Sequence, residues 1–515
     1  MVETIMTTST PLTEGTPHLG RRRRWTLLVT VGTGLLLITL DNSILYTALP
    51  TLTRELDATW SESLWIINAY PLVMTGLLLG TGTLGDRLGH RRMFLSGLIV
   101  FGLASFMAAT APTPEVLIAA RGLLAVGAAA MMPATLALIR VSFPDERERN
   151  IAISVWGSLS VVGGALGPIV GGALLEHFAW GSIFLVNVPV VVVAAVVGVA
   201  VAPADDPHPD VRWDFISSVE ALVTLVGLTV LIKEVARTER DGTVLLAAAL
   251  TTVVAWWVFV RRQRRLPFPL LDLSIFRNAA FASGVLAATI AMFAMGGLQL
   301  ATTQRFQLVT GFSPLESGLL VAAVAAGSLP SSLLGGMFLH VVGLRVLIGG
   351  GLGVGAIGVG WTLVGVEHGL FWLLGGLLVT GLGLGAAMSV ASTAIIGNAP
   401  ARRAGMASSV EEVSYEFGSL AAVALLGSLL TTVYTLTVRL PEGAPPEAAR
   451  SMTDALTAEG TGPEVLDAAF QAFGNSYEVV MIVCAGVLAV GSVLTTVLLR
   501  RYGPGSESSA YGSSH

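Results

Sequence analysis

The chain has little charge and almost no cysteine or lysine. Only 12% of its 515 residues are charged, whereas a soluble globular protein carries roughly 25%, so a water-facing surface is excluded for most of it. Cys484 is the only cysteine, which excludes a disulfide within the chain. Lys233 is the only lysine and lies between Ile232 and Glu234, so the chain has no Gly-Lys-Ser/Thr loop of an ATP-driven pump.

Catalytic and metal-binding patterns are also missing from the sequence. We find no His/Cys cluster with metal-ligand spacing and no pattern of a catalytic triad. The sequence therefore predicts neither an enzyme nor a bound metal or cofactor, and we expect no nucleic-acid partner.

Long apolar runs are what the chain has in abundance. Hydrophobic residues make up 53% of it, and the mean hydropathy is +0.75. Roughly 20 apolar residues cross about 30 Å of hydrocarbon as a helix, and in lipid the backbone must satisfy its own hydrogen bonds. The sequence therefore predicts an all-α polytopic membrane protein. Its fourteen predicted helices lie at residues 26–50, 60–82, 93–111, 114–139, 150–173, 180–202, 214–235, 243–260, 279–307, 313–339, 345–366, 369–396, 405–436 and 476–499.

The basic residues predict how these helices are oriented. Arg21 to Arg24 precede an apolar run that is too long for a signal peptide. With the amino terminus in the cytoplasm, 21 of the 29 basic residues fall on the cytoplasmic side, seven fall outside, and Arg121 lies within helix 4. Because cytoplasmic loops are enriched in Lys and Arg, this bias predicts a multi-pass protein of the bacterial cytoplasmic membrane with both termini inside.

A sequence pattern that occurs twice in the chain predicts two related halves. Gly82–Arg91 after helix 2 and Gly336–Arg345 after helix 10 share their Gly and Arg spacing, as in transporters built from repeats. We expect an outer loop at 438–475 that is either a cap on the outer mouth or a passive surface hairpin. The predicted parts are a cytoplasmic tail at 1–24, a six-helix half at 25–202, a linker with helices 7 and 8 at 203–265, a second six-helix half at 266–500 and a tail at 501–515.

Two glycine-rich segments predict close contacts between helices: one follows helix 2, and the other lies within helix 5. The first predicts a short inner loop in which glycines let two helices approach, and Asp86 pairs with an arginine or faces a helix amino terminus; a solvated turn is the structural alternative. It comprises Gly82, Gly85, Asp86, Arg87, Gly89, Arg91 and Arg92. The second, in helix 5, predicts close helix packing and a proline kink. It comprises Gly163, Gly167, Pro168, Gly171 and Gly172.

A few charged residues lie within the apolar runs. Asp41 is in helix 1 and Arg121 is in helix 4; such residues should face a polar interior, where Asp41 can bind a proton and Arg121 either pairs or bonds backbone carbonyls. Helix 13 contains Glu411, Glu412 and Glu416, which cannot all be ionised cheaply so close together. An acidic cluster at the membrane interface is the alternative.

Aromatic, Met and amide residues of the same helices are candidates for a binding pocket. Flexible Met and flat aromatic faces suit varied lipophilic ligands. The candidates are Asn42, Tyr46, Trp65, Tyr70, Met74, Asn187, Met292, Met295, Gln299, Gln304 and Tyr415.

Several of these segments resemble the major facilitator superfamily. The Gly82–Arg92 loop matches its loop signature, Leu117–Gly127 its helix 4 motif, and Gly163–Gly172 the signature of its antiporters. Other stretches resemble the fourteen-helix drug/proton antiporters, in particular the quaternary-ammonium and multidrug efflux branch: Leu40–Pro50, Trp180–Pro189 and Ser408–Gly418.

The resemblance implies a monomeric transporter that works by alternating access and is driven by the proton gradient. It would export lipophilic, often cationic compounds and confer drug resistance, with Asp41, Arg121 and Glu412 coupling protons to substrate and Glu416 next in line. Helix 10 lacks the acidic residue of relatives that prefer dications, so we expect poor export of dications. A dedicated exporter of one endogenous compound is the first alternative, and a proton-coupled symporter is the second.

Overall fold

The chain folds as a bundle of long helices. The computed structural model describes residues 20–58, 60–205, 214–236, 241–266, 269, 271–400, 404–458 and 461–502. The predicted tails therefore lie almost wholly outside the described residues, as does most of the segment that links helices 6 and 7. Twelve helices are long and apolar enough to cross a membrane, and the number reaches fourteen when two bent helices each count as one span. The all-α polytopic fold is confirmed.

The helices keep the predicted order. Helices 1 to 6 are Arg21–Glu55, Trp60–Leu88, His90–Ala109, Pro114–Ser142, Glu146–His177 and Asn187–Val201, the last preceded by the turn Ser182–Leu185. Helices 7 to 10 are Phe215–Ala236, Gly242–Gln263, Ala279–Leu308 and Pro314–Val342. Helix 11 is a π turn at Arg345–Gly350 followed by Gly351–His368, and helix 12 is Leu370–Gly397. Helix 13 joins Ala404–Ala421 to Gly427–Thr437 through a π turn, and helix 14 is Pro463–Leu498.

Helices 2 and 5 are the two bent spans. Helix 2 bends by 53° between Trp65–Leu78 and Gly80–Leu88, and helix 5 bends by 43° between Glu146–Gly164 and Ile169–His177. The break in helix 5 contains Pro168. A proline removes one rung of the backbone ladder, which accounts for a bend at this point.

The connection after helix 2 differs from the predicted loop. Helix 2 continues to Leu88, so Gly82, Gly85 and Asp86 belong to the helix and only Gly89 turns the chain, with φ of 103°. Gly343 turns the chain between helices 10 and 11 in the same way, with φ of 83°. The loop prediction was wrong because glycines inside a membrane helix keep their backbone bonds and mark packing instead. At both turns only glycine adopts the required φ without strain.

The outer segment is shorter than the predicted loop at 438–475. Helix 14 begins at Pro463 instead of 476, because its first turns place Val465, Ala469 and Ala472 on one buried stripe. A short helix at Met452–Thr457 precedes it, and the hydroxyl of Tyr434 donates to the carbonyl of Ala448 at 2.7 Å. The segment therefore packs onto the ends of helices 13 and 14.

Two apolar cores organise the bundle. One is formed mainly by helices 1 to 6 and the other by helices 9 to 14. Because successive helices cross in opposite directions, helix 1 begins and helix 14 ends on the same side of the bundle, which we call the terminal face. Here the first core continues into the other helices, through Ile395, Ala399, Met406 and Val410. The domain bounds stay a prediction.

Candidate functional site

A buried ion pair joins helices 1 and 4. Nη1 of Arg121 lies 2.6 Å from Oδ2 of Asp41, and their side chains are 0% and 1% exposed. A charge at this depth is stable only when it is paired and hydrogen-bonded. The two residues were predicted separately, and 80 positions of sequence separate them.

Four further groups satisfy this ion pair. Asn187 at the start of helix 6 donates to Oδ1 of Asp41 at 2.9 Å, and Arg121 donates to Oδ1 of Asn42 at 3.2 Å and to the carbonyl of Ile66 at 3.3 Å. The guanidinium also lies 4.7 Å from the ring centre of Tyr70. The sequence left open whether Arg121 pairs with a charged residue or bonds backbone carbonyls, and in the structure it does both. We call Asp41, Arg121, Asn42, Asn187 and Tyr70 the ion-pair cluster.

Helix 13 carries a second group of buried charges. Glu411 and Glu412 are 0% and 1% exposed, and Glu416 is half-buried. The hydroxyl of Tyr415 donates to Oε1 of Glu411 at 2.7 Å, as expected for residues four apart. Oε2 of Glu411 and Oε1 of Glu412 are buried without a hydrogen-bond partner among the described residues. We call Glu411, Glu412, Tyr415 and Glu416 the carboxyl cluster.

The carboxyl cluster borders a cavity between two sets of helices, helices 1 to 6 and helices 9 to 14. The cavity has a volume of about 90 Å³, well below the roughly 300 Å³ of a typical drug-sized pocket, so a substrate requires it to widen. Its described lining includes two carboxylates and no basic residue. The lining residues are Leu35, Thr39, Met132, Trp156, Gly157, Ser160, Met292, Ser328, Ser332, Gly385, Met388, Ser389, Ser392, Glu412, Tyr415 and Glu416.

Tyr70 connects the two clusters. It is fully buried, and it is close enough to interact electrostatically with Asp41 and Arg121 on one side and with Glu412 and Glu416 on the other. Because charges interact strongly in a low-dielectric interior, a change of charge in either cluster would act on Tyr70.

The structure divides the predicted pocket residues. Met292 and Tyr415 line the cavity, and Tyr70, Asn42 and Asn187 belong to the ion-pair cluster. The remaining candidates are not among the residues that line the cavity. Met74 is buried in the first core, Met295 packs against the second, Trp65 is 50% exposed, Gln299 and Gln304 are half-buried on helix 9, and the side chain of Tyr46 lies outside the described residues.

Some cavity residues escaped the sequence analysis. Trp156, Met132 and Met388 supply its aromatic and flexible walls, and small hydroxyl residues face it from helices 10 and 12. Ser328 and Ser332 lie one turn apart and therefore on the same side of helix 10, and this spacing was a signal of a polar face.

The glycine-rich segment Gly82–Arg92 binds the linker that follows helix 6. Asp205 accepts from the backbone N–H of Arg91 at 2.9 Å and lies 3.5 Å from Nε of Arg92. Arg91 also donates to the carbonyl of Val199 at 2.7 Å. Oδ1 of Asp86 lies 3.3 Å from Nε2 of His90, a partner that the sequence analysis missed. Arg87 is exposed.

The glycines of helix 5 differ in what they pack against. A Cβ atom at Gly163 or Gly167 would collide with Thr39 or Ser43 of helix 1, and one at Gly171 would meet Ile44 at 3.0 Å. Ser43 also donates to the carbonyl of Gly164. Gly172 has open space around it, so it does not share the predicted packing: it is one residue past Gly171 and therefore lies on a different face of helix 5.

The cavity is closed towards the terminal face by direct contacts between the two sets of helices. Oγ of Ser389 donates to Oγ of Ser154 at 2.7 Å, and Ser332 donates to the carbonyl of Ser154 at 3.3 Å. A Cβ atom on Gly336 would collide with Ser154. Closer to the face, Arg140 of helix 4 donates to the carbonyl of Ala399 at 2.6 Å.

No group of three or more His, Cys, Asp or Glu residues in the described part of the chain is arranged to hold a metal ion. The site therefore consists of hydroxyl, amide, carboxyl and guanidinium groups. Such groups can bind cations and move protons.

Known proteins share this sequence and fold. Residues 31–313 match the model of the Major Facilitator Superfamily. The multidrug efflux pump LfrA of Mycolicibacterium smegmatis is 36% identical over 95% of this chain and 99% of its own length. The methyl viologen resistance protein SmvA of Salmonella typhimurium is 35% identical over 89% of this chain and 95% of its own. The crystal structure of the human organic anion transporter MFSD10 covers 90% of this chain and 99% of its own, with a TM-score of 0.60 and 14% identity.

The family model spans more than half of the chain, and the two bacterial relatives match it nearly end to end. The fold agrees with the same assignment, because the solved transporter superimposes over almost its whole length. The chain belongs to the Major Facilitator Superfamily, and its relatives at 35–36% identity are named for drug efflux and drug resistance.

Proposed function

We propose that this protein exports lipophilic cations across the bacterial cytoplasmic membrane in exchange for protons. The observation that carries the proposal is the cavity between the two sets of helices, which has Glu412 and Glu416 in its wall and no basic residue in its described lining. An uncompensated carboxylate in a low-dielectric interior attracts either a proton or an organic cation. The relatives LfrA and SmvA are named for efflux and resistance, which supports export.

Substrate and proton would compete at the carboxyl cluster. A cation in the cavity stabilises ionised Glu412, and protonation of the same group removes the attraction and releases the cation. The stacking surface of Trp156 and the flexible side chains of Met132, Met292 and Met388 suit flat, varied ligands. Coupling then requires only that each conformation bind proton and substrate differently.

The ion-pair cluster would control which way the cavity opens. While Asp41 is ionised, it holds Arg121 and with it helices 1 and 4 together. Protonation of Asp41 removes the charged partner of Arg121 and leaves its other contacts, to Asn42, Ile66 and Tyr70, to hold it. Because Tyr70 also senses the carboxyl cluster, we propose that proton binding at Asp41 and substrate release at Glu412 are linked.

We propose that the terminal face lies in the cytoplasm and that the protein works as a monomer. The excess of basic residues on the predicted cytoplasmic side supports this orientation. The contacts of Ser154 and Arg140 would then form the cytoplasmic gate, and the structure described here is closed on the side from which substrate enters.

The charge of the substrate stays open to test. SmvA is named for resistance to methyl viologen, which is a dication, whereas the residues of helix 10 that line the cavity here are Ser328 and Ser332. A second positive charge would have to be met by Glu416. Competition of methyl viologen against ethidium measures this preference, and weak competition is expected.

Uptake of ethidium into inverted membrane vesicles tests the proposal. We expect uptake when the vesicle interior is acidified and none after the pH gradient is collapsed. Uptake that persists without the gradient would contradict proton exchange. Uptake of a tested compound only when the gradient is reversed would identify a symporter, and transport of a single compound from a broad panel would identify a dedicated exporter.

A further inference from the structure

Helices 7 and 8 form a pair at the edge of the first core, to which they contribute Ala221 and Phe259, and helix 8 is the more exposed. Only 11% of its apolar window is buried. Its outward face is a continuous apolar strip in which Leu250, Val253, Val254 and Trp257 are more than half exposed. Such a face contacts lipid, because no other part of the described chain covers it.

Four arginines, Arg261, Arg262, Arg264 and Arg265, follow this strip at the terminal face, and among the described residues only Arg262 has an acidic partner. Nε and Nη2 of Arg262 bond the carboxylate of Asp214 at 2.7 and 3.0 Å. Partial burial works against ionisation of Asp214, but these bonds and those from Ser217 lower its pKa below the ordinary value, so Asp214 remains charged and satisfies Arg262. Arg261, Arg264 and Arg265 are exposed, and no acidic side chain among the described residues pairs with them.

Contacts at the end of helix 8 fix the position of the turn that carries these arginines. The side chain of Gln263 is buried; it donates to Oγ of Ser217 at 2.8 Å and accepts from the N–H of Leu271 at 3.2 Å. The guanidinium of Arg261 lies 5.1 Å from the ring centre of Trp257. A tryptophan at the end of a span lies at the level of the lipid glycerol groups, so the arginines lie at the level of the phosphates.

We propose that helix 8 binds one anionic phospholipid, with its phosphate on Arg261, Arg264 and Arg265, its glycerol region beside Trp257 and its acyl chains along the apolar strip. Charge complementarity selects this occupant, since three guanidinium groups that have no acidic partner in the described part of the chain, above an apolar face, match a negative headgroup above acyl chains. A second protein copy would have to bring its own acidic groups to lipid depth, which is costly.

The bound lipid would support the parts of the transporter that move. Leu222 and Ser218 of helix 7 pack against Gly76 and Gly80 of helix 2, beside the bend of that helix. Helix 7 also packs against the π turn Ala422–Leu426 of helix 13. Helix 7 therefore touches one helix from each half. A lipid that anchors its partner, helix 8, holds this contact in place.

Native mass spectrometry of the purified full chain tests the proposal. The protein is incubated with phosphatidylglycerol or phosphatidylcholine, and the retained lipids are counted. We expect at least one phosphatidylglycerol to be retained where phosphatidylcholine is lost. The triple variant Arg261→Gln, Arg264→Gln, Arg265→Gln should weaken that binding by about 10- to 100-fold, because each basic residue at the surface contributes to the attraction.

A matched variant separates a built site from general attraction. Arg345, Arg500 and Arg501 are also exposed at the terminal face, and their replacement by Gln removes the same charge. Binding should survive in this control and weaken only in part in Trp257→Leu. Equal loss in both triple variants, or no preference of the natural chain for phosphatidylglycerol, would overturn the proposal; equal thermal stability in phosphatidylcholine confirms that the variants are folded.

Discussion

The two charged clusters differ in how their charges are satisfied. In the ion-pair cluster, Asp41 and Arg121 are neutral as a pair, and Asn42, Asn187 and a backbone carbonyl use their remaining bonds. In the carboxyl cluster, one carboxylate oxygen each of Glu411 and Glu412 is buried and has no hydrogen-bond partner within the described part of the chain. The comparison teaches that the two charges of the first cluster satisfy each other, whereas the carboxylates of the second require a proton or a cation.

The same contrast separates stability from transport. Removing one member of a complete buried pair leaves an uncompensated charge, so mutations in the ion-pair cluster should damage folding as well as activity. Removing a carboxylate that lacks a partner leaves nothing unsatisfied behind. Replacing a carboxylate that lines the cavity, such as Glu412, should therefore abolish transport while the fold persists.

Replacing Arg121 should have the largest effect on both stability and transport. Arg121→Gln leaves Asp41 ionised without its partner, and the free energy of unfolding should fall by about 3–5 kcal/mol with complete loss of ethidium transport. Thermal unfolding in detergent and transport in vesicles measure the two effects. Arg345→Gln, at an exposed position, is the control.

The double variant Asp41→Asn, Arg121→Gln sharpens this result. Both charges are then absent, so stability should return towards that of the natural chain while transport stays absent. If Arg121→Gln alone were as stable as the natural chain, the pair would contribute nothing to the fold, and the contrast between the clusters would be lost.

Replacing Glu412 should have the opposite profile. In Glu412→Gln the buried carboxylate becomes a neutral amide, so the free energy of unfolding should be unchanged or higher by about 1 kcal/mol, while ethidium transport falls to background. Glu411→Gln is the matched control, because its amide oxygen can still accept from Tyr415, and it should retain most transport. A Glu412→Gln protein that pumps normally would remove Glu412 from the proposed mechanism.

The smallest expected effect belongs to the residue between the clusters. Tyr70→Phe keeps the ring that lies over Arg121 and removes a hydroxyl that is buried without a partner in this conformation. We expect transport to fall by about two- to fivefold, the effect of one neutral hydrogen bond formed in another state, with little change in stability. A loss as large as that of Glu412→Gln would mean that the hydroxyl itself carries the proton.

Most of the fold was predictable because lipid imposes its demands on each helix separately. Hydropathy alone located the spans, since every one must bury its own backbone bonds. It failed at helix 14, whose first turns leave the membrane and are amphipathic, with Val465 and Ala469 buried and Glu464 in the first turn. It failed again at Gly82 and Gly85, which were assigned to a turn and are part of helix 2.

The members of the site were predictable, but most of their partnerships were not. Charged residues such as Asp41, Arg121 and Glu412 are conspicuous in apolar runs. The contact of Asp41 with Asn187 joins residues 146 positions apart, and only the packing of helices 1, 4 and 6 brings them together. Trp156 escaped because an aromatic residue in an apolar helix is, by sequence, a packing residue.

Proton release on substrate binding tests the central claim most directly. Ethidium is added to the purified protein in weakly buffered detergent solution, and the pH of the solution is recorded. Because the cation and the proton compete for Glu412, the natural chain should release protons in proportion to the ethidium bound, and Glu412→Gln should release none. Ethidium binding without proton release by the natural chain would contradict the account.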